Sequence, residues 1–322
     1  MKSKVILLAI ILLAGQTVIY SQITEAEKKL REKEKADSTL GWKKGGVFAL
    51  NLAQTSLTNW AAGGQNSFAT NGFLSVFANY TGEKSTWVNS LDVGYGIIKQ
   101  NKLDLRKTDD KFDFLSKYGR QAFDHFFYSA LINFKTQLSR GYNYPNPADQ
   151  NAKDTISNFF APAYLIGAVG MDYKPTAYFS AFIAPLTAKF TFVTDPSLSA
   201  VGAFGVKPGE KVNTECGAYL RVIYSKTDFK SAFLKNVAFT SKIDLFSNYL
   251  KNPQNIVVNW DVLIAMKINK FISANINTTM IYDDKIKVPF DRNGNGNIET
   301  GEAVGSKIQF KEILGVGLSY KF

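Results

Sequence analysis

From about residue 45 to its end the chain alternates apolar and polar side chains with a period of two. In "YSALINFKTQL", Tyr128, Ala130, Ile132, Phe134, Thr136 and Leu138 fall on one side of an extended backbone, and Ser129, Leu131, Asn133, Lys135, Gln137 and Ser139 on the other. The split recurs in "NWDVLIAMKI", where Val258, Trp260, Val262, Ile264 and Met266 oppose Asn259, Asp261 and Lys267, and in "NVAFTSKIDLFSN", where Val237, Phe239, Ile243 and Leu245 oppose Asn236, Thr240, Lys242 and Asp244. This pattern predicts about twelve strands. They lie near residues 46–57, 66–80, 85–99, 111–118, 126–140, 157–173, 176–193, 214–225, 235–249, 256–268, 271–283 and 306–322. Most exceed the roughly 9 to 11 residues with which a tilted strand crosses a bilayer. They are long for a soluble sandwich, where about 5 to 6 is usual.

The connections between these segments sort by length. After odd-numbered strands come long polar stretches such as "QNKLDLRKTDD", "GYNYPNPADQNAKDT", "TDPSLSAVGAFGVKPGEKVN" and "DKIKVPFDRNGNGNIETGEAVG", with only "LKNPQN" brief; after even-numbered ones come mostly short turns, "TGEK", "GRQAFD", "KPT" and "INK", with "KTDFKSAFLK" longer. Long loops on one side, short turns on the other and an even strand count describe an antiparallel transmembrane β-barrel, with both termini on the short-turn, periplasmic side. Tyr80, Trp87, Tyr173, Tyr178 and Tyr320 fall on the apolar face near the short turns, where an interfacial girdle is expected. The last strand ends in "GLSYKF", with Leu314, Val316, Leu318, Tyr320 and Phe322 sharing the apolar face. A closed barrel pairs its last strand with its first, so that end is held rather than frayed.

Ahead of the strands, "MKSKVILLAIILLAG" places Lys2 and Lys4 before an apolar run too short to span a membrane, followed by "QTVIYSQ", in which small Ser21 stands just before the expected cleavage point. That is the order of a cleaved signal peptide. Residues 1–21 are therefore expected to be removed, residues 22–44 to form a short, charged, helical periplasmic tail with Thr24 and Glu27 at capping-box spacing, and residues 45–322 to form the barrel. Cys216 is the sole cysteine, so no internal disulfide supports the fold. The formal charge of +11 suits, in an exported chain, the anionic phosphates of outer-membrane lipid. The basic stretch "KKLREKEK" carries nearly as many acids as bases, which leaves no nucleic-acid footprint beyond net charge.

At "NWAAGGQNS", "KTDDKFDFLSKYG", "FYSALINFKTQLSRGY" and "GVGLSYKF" the chain resembles a family of uncharacterised Bacteroidetes outer-membrane proteins, known as domain of unknown function 3078, over most of its length from about Trp42 to Phe322. The resemblance implies the outer membrane of a Gram-negative bacterium and gives no activity or site. The ending Gly317-x-x-Tyr320-x-Phe322 also resembles the C-terminal signal read by the machinery that inserts such barrels.

Two candidate sites emerge. "DRNGNGNIETGE" sets Asp291, Asn293 and Asn295, then Gly296, and Glu302 in the pattern of a calcium loop, with Asn297 offering its carbonyl. The flanking segments are strands rather than helices, so a flexible Asn/Gly hairpin fits equally. The second site is the lumen. Its expected inward residues are Asp92, Asp113, Lys117, Asn133, Lys135, Lys189, Glu215, Arg221, Lys242, Asp244, Asp261, Lys267 and Asn277, of both signs. They fit the walls of a narrow channel for small solutes. That channel is the leading reading; the alternative is a closed structural or assembly barrel in which the charges pair with one another and which displays the loops at 194–213 and 284–305, the latter ordered by calcium. His125, the one histidine, sits in "FDHFF" at an expected turn with no serine motif near it, so no enzymatic activity is expected.

Overall fold

Side chains that alternate along a strand leave a sheet with two unlike faces, and the chain folds that way. The computed structural model describes residues 40–57, 65–101, 103–144, 153–176, 178–226, 229–231, 234, 237–267, 272–289, 304–318 and 320–321. Residues 1–39, which hold the expected signal peptide and nearly all of the charged tail, lie outside the described residues.

The long strands are β1 (Gly41–Thr55), β2 (Ser67–Thr81), β3 (Ser85–Gln100), β4 (Arg106–Phe123), β5 (Phe126–Thr136), β8 (Ala163–Thr176), β9 (Phe179–Phe192), β10 (Val212–Lys226), β11 (Val237–Asn248), β12 (Val257–Lys267), β13 (Ile272–Tyr282) and β16 (Gln309–Leu318). With the two-residue β17 (Tyr320–Lys321) they make one antiparallel sheet, each strand bonded to its neighbour in sequence among these. β16 pairs with β13 from Ile272↔Leu318 to Ile281↔Gln309. β17 pairs with β1 through Val47↔Lys321 and Phe48↔Tyr320. The two ends of the sheet order are thus adjacent pieces of one chain segment. Two short hairpins stand outside the sheet, β6 (Gly141–Asn143) with β7 (Asp154–Ser157), and β14 (Val288–Pro289) with β15 (Val304–Gly305).

Several boundaries differ from the sequence expectation, for local reasons. β1 starts at Gly41, inside the stretch assigned to the tail, because Trp42 pairs with Tyr80 and packs its ring on Tyr80 and Trp87 at 5.5 and 5.6 Å. β4 runs on to Phe123, so the expected turn "GRQAFD" shrinks to Asp124 and His125, with His125 at φ 61°. β8 begins only at Ala163, since Ser157 belongs to β7 and residues 158–162 make a tight turn containing the cis Ala161–Pro162 bond. Five-residue helix α1 (Pro196–Ala200) stands in a loop where no helix was expected.

Burial reverses the arrangement of a water-soluble sheet. On β5, Tyr128 and Ile132 are 61% and 54% exposed, while Ser129 and Asn133 on the opposite face are buried. Val169, Ile183 and Leu186 are likewise exposed, against buried Asp172, Thr187 and Lys189. The exposed face is therefore apolar and the buried face polar, apart from a cluster of Leu131, Ala168, Phe182, Ala184, Tyr219 and Phe246 within it. Where β10 bulges between Gly217 and Tyr219, a Cβ on Gly217 would lie 1.9 Å from the Ser247 carbonyl oxygen, so the close approach of β11 requires glycine there.

Candidate functional site: the charged interior

Polar residues placed on alternate positions of neighbouring strands meet one another on the enclosed face. Asp113 on β4 accepts from Asn133 Nδ2 at 2.7 Å and lies 3.6 Å from both Lys135 and Lys111. On β10 and β11, Tyr219 donates to Asp244 at 2.7 Å and Arg221 stands 3.5 Å from the same carboxylate. Lys242 reaches Asp261 at 3.8 Å, and Thr279 donates to Asp261 at 2.8 Å. Asp113 also lies within electrostatic range of Lys242, and Asp244 within that of Lys135, so the β4–β5 and β11 segments turn their charges toward one another.

Two further clusters lie toward either end. Near the short turns, Lys117 donates to Asp172 at 2.5 Å; Ser180 and Lys174 complete the shell of that carboxylate at 2.9 and 3.5 Å. Ser75 donates to Asp92 at 2.5 Å. A cavity of about 440 Å³ opens at this end, bounded by Asp92, Asp113, Lys117, Lys174 and Arg221, with His125 among its lining residues. Toward the long loops, Glu215 is held by Lys189 at 3.4 Å, by Asn248 at 3.0 Å and by Lys285, while Lys189 also lies 3.7 Å from Asp283. Lys189 is on β9 and Asp283 follows β13, so this contact bridges strands that are not neighbours in the sheet.

The same end carries a folded cap of loops. Ala161, Val193, Leu198 and Val206 form a small apolar cluster of their own. Asp195 caps α1, accepting from Ser197 N at 3.0 Å, Ser197 Oγ at 2.6 Å and Leu198 N at 3.4 Å. Asn158 donates to it at 2.9 Å and Arg140 lies at 3.3 Å. These bonds, that of Ser197 first, hold the Asp195 carboxyl down at about 2.

Most of the residues expected inside are found there. Asp92, Asp113, Asn133, Lys189, Glu215, Lys242 and Asp244 are buried, and Arg221 sits beside them on the enclosed face. Lys117, Lys135 and Asp261 are half-buried and ion-paired. Lys267 and Asn277 belong to β12 and β13, but their side chains lie outside the described residues, as do Asp291, Asn293, Asn295, Asn297 and Glu302 of the expected calcium loop. Asp172 and Tyr219 were missed, although both share the parity of the inward residues on their strands. Asp283 and Lys285 carry no such signal, because a loop that folds back inward follows no period.

Residues 52–142 match the family model described as Protein of unknown function (DUF3078), so the resemblance read over most of the chain is met across that stretch. No curated protein matches the chain. Among solved structures, one similar to it is an outer membrane channel from Pseudomonas putida F1, at 10% identity and a TM-score of 0.40, covering 89% of this chain and 97% of that one. Another is the translocator domain of the autotransporter NalP from Neisseria meningitidis, at 10% identity and a TM-score of 0.33, covering 94% and 99%.

Proposed function

We propose that this chain, whose residues 52–142 carry the match to the uncharacterised family DUF3078, is an exported twelve-stranded outer-membrane β-barrel with a closed interior. It serves as a structural or assembly barrel that displays its long loops. Taken together, β16 and β17 join β13 to β1 and leave no free edge. An apolar outer face needs an apolar solvent. Rings gather where such a barrel meets the interface: Trp42, Tyr80 and Trp87, the stack of Phe123, Phe126 and Tyr173, and Tyr178 with Tyr224 near the short turns, and exposed Tyr249, Trp260 and Phe310 toward the long loops. In this reading the short turns and both termini face the periplasm, the basic surface meets lipid phosphates, and the final residues are read by the insertion machinery.

The observation that carries the closed reading over a narrow channel is the pairing of interior charge. Asp113, Asp172, Glu215, Asp244 and Asp261 each lie within ion-pair distance of Lys or Arg. Asp283 and Lys285 turn in from a loop to reach Lys189 and Glu215. Charges committed to one another in a confined space are poor hosts for a passing ion. No catalytic step is proposed, for His125 occupies a left-handed turn beside Asp124 at 3.3 Å.

Single-channel recording on the refolded chain 22–322 in planar bilayers tests this. Silence from protein shown to be folded and inserted is expected. Reproducible conductance steps whose ion selectivity shifts when Lys135, Lys189 or Arg221 is neutralised would return the channel.

A further inference from the structure

Buried guanidinium groups are satisfied by acids almost everywhere they occur, because an unpaired charge away from water is costly. In this chain buried Arg221 has Asp244, and even half-exposed Arg140 has Asp195. Arg106, the first residue of β4 at its long-loop end, is arranged differently. Its guanidinium lies over the Tyr144 ring, 4.0 Å from the centroid, so one flat face is held by an aromatic plate. Its Nε and Nη2 are both shut off from solvent and, among the described residues, have no hydrogen-bond acceptor. These are the two nitrogens along one edge of the plane, the edge that grips a planar or tetrahedral oxyanion with two parallel N–H bonds.

The neighbouring lysine shows that acceptors are not scarce in this corner. Lys107 Nζ meets Asp110 at 2.8 Å, Gln137 Oε1 at 3.0 Å and the Ser139 carbonyl at 2.8 Å. Among the described residues, the fold supplies oxygens to Lys107 and none within hydrogen-bond reach of the Arg106 edge. Asp109 stands two register positions away, opposite Gly96, whereas Arg106 is opposite Ile98. The covering hairpin, β6 with β7 and Tyr144 just beyond its last pair, forms no ladder with the main sheet and meets β4 through Lys107 Nζ to Ser157 Oγ at 3.4 Å, so it can give way to a small ligand.

We infer that the Arg106 edge, backed by the Tyr144 ring, is a binding site for a carboxylate or phosphate oxyanion at the long-loop end of the sheet. The inference does not depend on whether the interior conducts. Such an anion would receive two charge-assisted hydrogen bonds while the ring fixes the plane of the donor, which a lysine at the same position cannot reproduce.

Titration calorimetry on the full chain folded in detergent micelles tests it, with inorganic phosphate and acetate as soluble probes and with micelles doped with a phosphomonoester lipid as the membrane-borne probe. Saturable binding of at least one probe is expected, weakened roughly ten- to hundredfold in Arg106→Gln and nearly as much in Arg106→Lys, which keeps the charge and loses the fork. Binding of the soluble ions assigns a free oxyanion; binding of the doped micelles alone assigns a lipid headgroup. Tyr144→Ala, which leaves the edge intact, is expected to weaken binding by a smaller factor and covers the case in which the Arg106 variants do not fold. No binding of any probe to the unaltered chain would overturn the inference, as would binding that survives Arg106→Gln unchanged in folded protein, or survives Tyr144→Ala unchanged where the Arg106 variants do not fold.

Discussion

Arg221, Asp244 and Tyr219 show what a single residue contributes in this interior. Tyr219 donates to the carboxylate and Arg221 lies 3.5 Å from it and 3.4 Å from the phenol oxygen, all three on the enclosed face. Removing one charge of a desolvated ion pair leaves the opposite charge under-compensated, while removing the matched pair does not. Arg221→Met is therefore expected to lower the unfolding free energy by about 3 kcal/mol, and Arg221→Met with Asp244→Leu to recover a substantial part of that loss. Urea titrations of the four forms in detergent micelles would check the cycle, and strictly additive single effects would count against an interacting pair. Arg221 and Asp244 were legible in the sequence because period-two alternation assigns a face to every residue of a strand. The contact that spans the enclosed space, Lys189 to Asp283, was not. It depends on which strands face each other, a property of the folded sheet that no window of sequence contains.

Elements were easier to read than their ends. The alternation located the long strands, and it failed where backbone geometry follows another rule, as at Phe123–Phe126, where a two-residue turn carries the ladder past the last polar–apolar step. It failed also at α1, whose five residues owe their helix to a cap rather than to a period. "TDPS" places Asp195 before Pro196, a helix-start signal that a reading tuned to strands passed over. The cap has a pH signature. Because the Asp195 carboxyl is held down at about 2, its bonds to α1 stabilise the loop above the ordinary carboxylate range near 4 and are lost as the pH falls through about 2. Pepsin cleavage within residues 194–210, normalised to an unfolded peptide of the same sequence, is expected to rise between pH 4 and pH 2. In Asp195→Asn it is expected to be high throughout. A flat profile in the unaltered chain would mean that the cap does not hold the loop.

At the scale of the whole molecule the outer face decides which solvent the protein was built for. Ile183, in the middle of β9, is 56% exposed on a face otherwise made of Val169, Leu186 and Tyr128, whereas Val212 is exposed where β10 begins, toward the long loops. In water, arginine at either position would be tolerated, since surface substitutions away from special contacts usually cost little. In a bilayer the two positions separate, because the cost of arginine on the lipid face depends on depth. Ile183→Arg is then expected to cost about 2 to 4 kcal/mol and Val212→Arg about 0 to 1, read from urea titrations of the chain folded into phospholipid vesicles. The sign of the difference is what matters. An Ile183→Arg variant as stable as the parent would mean that the apolar face is covered by something other than lipid, and twelve long strands with an inverted pattern of burial would then need a protein partner rather than a membrane.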